Sequence, residues 1–337
     1  MALGEAPAAV TVPARTPGTG LWSRPWVRFA ARRTGRLLGS LWVLVTASFL
    51  MIHLIPGDPV RNSLGPTASA ELVAARRAEL GLDDPFLLQY WHFVQGLFTG
   101  DLGTSLSLRL PVYDVVTQRL PTTLALALLG FLVAVAIAVP LGVCMGVLTR
   151  RGHGRRTELG FTTTSVVLGL VPDFLLGVAF VYVFGVGLGW LPVAGNTTPS
   201  AYVLPVLSLA IGPAAVLARI VRVEMVAVLQ ADFVRTARAK RLPDRTVYLR
   251  HALPNALTAS LTLGGLLLGS MVAGTVLVEN VFAWPGLGST IVSSILAKDY
   301  PLVQAIVLVY GAGVLLVNTA VDVALALLDP RSMIRED

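Results

Sequence analysis

The sequence predicts an all-α polytopic membrane protein with six transmembrane helices and both termini in the cytoplasm, and three observations predict it. Of the 337 residues, 55% are hydrophobic and 13% charged, against about 25% charged in a soluble globular chain. Six uncharged runs approach or exceed the span of about 20 residues that a helix needs to cross a hydrocarbon core of about 30 Å. The 26 lysines and arginines exceed the 19 acids by a net charge of +7, and they gather on alternate connections between those runs. In so apolar a chain this excess reads as topology rather than nucleic-acid binding.

Taken in order, residues 1–30 begin rich in Ala, Pro, Thr and Gly and read as a disordered cytoplasmic tail. Residues 31–56 hold the first span, Leu37 to Pro56, behind a basic flank. A signal peptide is the rival reading, but its apolar core runs about 7–15 residues and ends at a small-residue cleavage site. This run is longer and ends in Ile55-Pro56-Gly57-Asp58-Pro59. Residues 57–121 are too long for a simple connection and read as an external helical segment. Within it Asp84 fits an N-cap and Pro85 the first helical position, after which Phe86, Leu87, Tyr90, Trp91, Val94, Leu97 and Phe98 recur at helical spacing. That face fits packing on the outer ends of the spans, or docking of an external partner.

Residues 122–331 form the core, with spans at Thr122 to Leu148, Phe161 to Pro192 broken at Asp173, Tyr202 to Ala218, Ala256 to Val278 and Leu302 to Val321; residues 332–337 are a cytoplasmic tail. The fourth run is the shortest of these, and Gly212-Pro213 removes a backbone donor from it. With the N-terminus inside, 20 of the 26 basic residues fall on cytoplasmic segments and six outside, as the positive-inside rule requires.

Several chemistries are excluded or left without support. The single cysteine, Cys144, cannot form an intrachain disulfide or a cysteine metal cluster. A nucleotide-binding P-loop needs lysine directly after glycine, and the only lysines, Lys240 and Lys298, each follow alanine. The four histidines have no i, i+4 pairing, and neither HExxH nor GxSxG occurs. Acids within apolar runs need a reason, because a charge in hydrocarbon is costly. Asp173, after Pro172 in the third run, fits either a translocation path or a carboxylate satisfied at a helix bend. Glu279, Asp322 and Asp329, near span ends, read as hydrogen-bonded structural groups.

The stretch from Asp232 to Ala256 is the most informative. It reads as two short helices, a turn at Arg241 to Asp244 and a second helix stopping before Pro254. Thr236, Ala237 and Ala239 give the first helix a small-residue face ringed by cations. Physics alone leaves two readings open, a basic cytoplasmic loop or a docking surface for an acidic partner. The segment RTARAK-R-L, then RHALPNAL, closely resembles the coupling motif of ABC importer permeases of the dipeptide, oligopeptide and nickel branch. IPGDPV (55–60), LGLDDP (80–85), GDLGTS (100–105), RLPTTL (119–124), VENVFAWPGLG (278–288) and LDPR (328–331) resemble the same family in the same order.

The resemblance implies a permease in the cytoplasmic membrane of a prokaryote, paired with a second homologous permease and two cytoplasmic ATP-binding subunits, and fed by an external substrate-binding protein. ATP and magnesium would reside on the partner subunits, with no cofactor and no nucleic acid bound by this chain. It assigns coupling to Arg235, Thr236, Ala237, Ala239, Lys240, Arg241, Leu242, Arg250, His251 and Ala252, and seats Thr236, Ala237, Ala239 and Leu242 in a groove of the ATPase. Arg241 stands where the family has glycine, so a left-handed backbone there costs on the order of 1 kcal/mol. The implied cargo is small peptides, with nickel chelates or glutathione as alternatives. An ion-coupled secondary transporter and an intramembrane enzyme are the readings from other classes.

Overall fold

The computed structural model describes residues 25–54, 59–65, 67–79, 81–150 and 154–328. The tail at residues 1–24, part of the IPGDPV run, Asp329, Arg331 and the C-terminal tail lie outside the described residues. The described residues contain five helices long and apolar enough to cross a membrane, and a bent helix pair makes a sixth crossing.

Helix α1 (Pro25–Leu54) starts inside the segment expected to be a tail. Proline suits the first helical turn, where its missing N–H costs nothing, and Trp26 to Ala30 continue the helix. The basic flank is therefore helical, and Arg33 pairs with Asp322 near the far end of the chain. Three short helices follow, α2 (Pro59–Leu64), α3 (Ala70–Glu79) and α4 (Phe86–Thr99). Helix α4 begins one residue later than expected, with Pro85 at the cap and no side-chain capping bond from Asp84. Its apolar residues divide between two faces. Phe86, Tyr90 and Phe93 stack around Phe49 of α1, and Tyr90 hydrogen-bonds Thr46. Leu87, Trp91 and Phe98 stay 78%, 63% and 88% exposed.

Helix α5 (Val112–Leu148) has 37 residues, about 55 Å at 1.5 Å per residue. Residues 112–121, expected to belong to the external segment, are its outer turns. The third crossing consists of α6 (Arg155–Leu170) and α7 (Asp173–Phe180), the latter continued by a π-helical turn Val181–Gly187. The pair is bent by 92° at the intervening residues, because the residue before a proline is held extended (Val171 ψ 123) and Pro172 cannot donate to the preceding turn.

The weakest of the expected runs becomes the most buried of the candidate spans. Helix α8 (Val203–Val228) passes through Pro213 unbroken, packed between α5, α6, α7 and α11 (Leu253–Val281). After α11 come α12 (Leu287–Leu296) and α13 (Tyr300–Leu328).

The outer end is held by two buried carboxylates. Glu279, fully buried at the end of α11, accepts bonds from Thr123 Oγ1 (2.7 Å), Gly288 N (2.6 Å) and Ser289 N (3.1 Å). It thus satisfies the orphan N–H groups that open α12. Thr123 Oγ1 in turn accepts from Leu287 N at 2.8 Å. Trp284, buried beside Tyr202 at 4.6 Å between ring centroids, donates to Thr122 O at 3.4 Å. Asp299, also buried, accepts from the Ser105 hydroxyl, Ser107 Oγ (2.6 Å), Ser107 N (3.0 Å) and Leu106 N (3.1 Å). Burial pushes its carboxyl up, but the bonds from Ser105, Ser107 and Leu106 outweigh burial and hold it below the ordinary value of 3.8.

Two measurements test these clasps. Thr123→Val strands a Glu279 oxygen and the Leu287 N–H, and each orphaned group costs about 1–3 kcal/mol. The variant should unfold at a clearly lower temperature in detergent, and an unshifted midpoint would show that Thr123 is not the bridge. For Asp299, whose folded value is depressed, the stabilisation is complete above 3.8 and fades as pH falls through the lower folded value. Asp299→Asn should therefore be less stable than wild type at neutral pH, with the gap closing as pH falls below 3.8 and through the lower folded value; a gap independent of pH would contradict this.

Candidate functional site

At the basic end, cytoplasmic by the charge rule, the chain leaves α8 and forms α9 (Asp232–Ala239). The helix then closes in a Schellman motif: Arg241 N donates to Arg238 O at 2.8 Å and Leu242 N to Ala237 O at 3.4 Å. This motif needs a left-handed residue at Arg241, which has φ 57°. Arginine thus accepts the conformation expected of glycine, and Leu242 and Ala237 meet in one apolar cluster beneath it.

The second short helix, α10 (Asp244–Thr246), does not stop before Pro254. It continues through a π-helical segment Val247–Ala252 directly into α11. Pro254 lacks the N–H that would bond Arg250 O, and the chain absorbs the gap with a wider turn. Asn255 Nδ2 bonds the neighbouring His251 carbonyl at 2.8 Å. The coupling pair is therefore continuous with span five.

Of the residues expected to couple, Arg235, Thr236, Ala239, Lys240, Arg241 and Arg250 are exposed, while Leu242 and His251 are half-buried. Ala237 and Ala252 are buried, packed with Met225, Leu229, Val234, Val247 and Ala256. The expectation that Ala237 sits in a partner's groove is corrected: its methyl is already covered by this chain. The face left free is that of Arg235, Thr236, Ala239, Lys240 and Arg241.

A second set of contacts, none singled out in the sequence, ties this pair to other spans. Arg150 at the end of α5 lies over the Tyr248 ring, 5.4 Å from its centroid, and donates to its hydroxyl. Arg222, buried near the inner end of α8, pairs with Glu158 of α6 at 2.6 Å and donates to Thr149 Oγ1 at 3.0 Å. The available signal was an arginine inside the apolar run VLARIVRVEMVAV, which must find partners at that depth. The hairpin thus packs on α5 and α8 and runs into α11, and Arg222 ties α8 to α6.

Pro172 and Asp173 stand apart from this end, at the bend of the third crossing. Asp173 opens α7, and its carboxylate lies against Gly212 of α8 and Gly274 of α11.

The described residues thus form an α-helical membrane bundle with an exposed cationic helical hairpin at its basic end, joined to several spans. Residues 138–334 match the model of the binding-protein-dependent transport system inner membrane component, and residues 26–127 match the model of its N-terminal membrane component. The chain belongs to this family and is a multi-pass inner-membrane permease of an ABC importer of the dipeptide and oligopeptide branch. Such importers work with ATPase subunits and a substrate-binding protein. Among curated relatives, the glutathione transport system permease protein GsiC of Salmonella typhimurium is 38% identical over 304 residues, 90% of this chain and 98% of that protein. GsiC of Escherichia coli strain K12 is 37% identical over 305 residues, again 90% of this chain and 98% of that protein. Among solved structures, the MetNI methionine ABC transporter in inward-facing conformations gives a TM-score of 0.49 at 20% identity, covering 64% of this chain and 96% of that one.

The geometry at Arg241 yields a test. Arg241→Gly should relieve about 1 kcal/mol of backbone strain, raise the thermal midpoint slightly and leave transport intact. A severe loss of uptake would mean that the arginine itself contacts the ATPase.

Proposed function

We propose that this chain is one half of a heterodimeric permease that imports glutathione or a closely similar short peptide, powered by ATP hydrolysed with magnesium on two partner ATPase subunits. The chain supplies no ATPase site of its own in this reading. The observation that carries it is the combination of an exposed, cationic coupling face with collinear similarity to GsiC along nearly that protein's whole length. ATP binding draws the ATPase pair together and moves the hairpin seated on it. Because α10 runs into α11, and Arg150 holds Tyr248, the hairpin moves as a lever on the bundle rather than as a flexible loop. A binding protein delivers cargo to the outer end, where the Glu279 and Asp299 clasps keep α12 and the loop before α5 in fixed positions.

Co-purification and uptake check this. Expressed with its companion genes and reconstituted in liposomes with binding protein outside and ATP inside, the complex should accumulate labelled glutathione, and ADP should not support accumulation. If the chain alone moves glutathione along an ion gradient, the ATP-driven reading is wrong. If the complex hydrolyses ATP and carries unrelated solutes but not glutathione or short peptides, the cargo assignment falls.

A further inference from the structure

The bend of the third crossing places a carboxylate deep in the bundle without a partner. Gly212 lies mid-way along the membrane helix Pro199–Val228, and Gly274 lies within the span Leu263–Val281. A Cβ added at either glycine would come within 3.3 Å of Asp173 Oδ1 and 3.2 Å of Asp173 Oδ2 respectively, so both oxygens face bare backbone on two different spans. The side chain is only half-buried, and among the described residues it has neither a hydrogen bond nor an ion pair. The contrast with Glu279 and Asp299 is sharp, since each of those buried carboxylates accepts at least three hydrogen bonds. A charge left unmatched at this depth is retained where function uses it. Any side chain larger than glycine at either position would crowd the carboxylate.

We propose that Asp173 is a solute-binding group of the translocation path that receives the ammonium group of an amino-terminated cargo as it passes between α7, α8 and α11. This rests on the short-peptide reading above, because such cargo carries a free ammonium. The carboxylate supplies the transient counter-charge that the surrounding spans lack.

The test uses the assembled importer in liposomes with labelled glutathione and labelled dialanine. Asp173→Asn should lower uptake of both at least tenfold, and Asp173→Glu should restore a substantial part of it. In parallel, with the single native cysteine Cys144 replaced by alanine, Asp173→Cys should react with a cationic methanethiosulfonate reagent in the assembled complex, and transported glutathione should slow that reaction. Wild-type uptake with undiminished uptake by Asp173→Asn would overturn the role of Asp173 and leave the cargo assignment standing. A thiol that does not react, or reacts at the same rate with and without cargo, would overturn it too and assign the carboxylate to packing. A wild-type complex that carries neither solute would remove the cargo assignment and this role together.

Discussion

The close contact between α5 and α8 is the constraint on which the rest of the structure depends. A Cβ on Gly142 would lie 2.6 Å from Ala218 O and 2.7 Å from Val221 Cβ, and one on Gly146 would lie 2.9 Å from Met225 Cβ. Gly142-Val143-Cys144-Met145-Gly146 is thus a small-xxx-small surface that brings two backbones together, the main source of helix association where lipid removes the hydrophobic drive. From that contact α8 presents Met225 and Leu229 as the floor for α9, and Arg222 as the tie to α6. The cytoplasmic hairpin thus rests on a helix that is itself packed closely against α5.

The same device ends three helices, and it explains three of the four non-glycine residues that occupy left-handed positions among the described residues. Arg241, Ala283 and Lys298 have φ of 57°, 45° and 57°. Each is followed by a residue whose N–H reaches back five positions: Leu242 to Ala237, Trp284 to Glu279 and Asp299 to Ser294. Trp284 and Asp299 are fully buried and Leu242 is half-buried, so each terminus is anchored by the side chain just beyond the strained residue. Strain of about 1 kcal/mol per position is small beside what that burial and hydrogen bonding contribute. Helix ends fixed in this way suit a protein whose moving parts must travel as rigid bodies.

The spans were legible in the sequence because hydrocarbon imposes a length and excludes charge, a constraint every residue of a run obeys. The break at Pro172 was legible for a local reason, the geometry of proline, whereas a left-handed backbone at Arg241 was implied only by the glycine that the resembled family has there. What depended on facing was not. Ala237 and Ala239 are equally small, and nothing in their order says that the first meets Val247 and Ala252 while the second meets solvent. Tyr90 and Trp91 are neighbours on one apolar helix, yet one stacks on Phe49 and the other is left bare. Glu279 was expected to be a hydrogen-bonded group near a span end, but its partners, Thr123 far earlier in the chain and the opening of α12, could not be named from the sequence. Arg222 was counted as one more cytoplasmic charge, although its apolar flanks already required partners that only the fold could supply.

The distribution of charge inside the bundle then separates what holds the molecule from what it works with. At the outer end each buried acid is matched by donors fixed in the same chain and has little left to offer a ligand. At the inner end Arg222 is spent in the same way on Glu158 and Thr149, and Arg150 on Tyr248. On the face of the hairpin Arg235 pairs only with its exposed neighbour Asp232, and Lys240 and Arg241 are exposed, while Asp173 at the bend has no side-chain partner among the described residues. Between the two fixed ends the described spans contain a single sharp interruption, and it falls at Asp173. The hairpin joins α11 and packs on α8, the two spans whose glycines this carboxylate rests against, so any change in their spacing would alter the room around an acid that has no partner among the described residues.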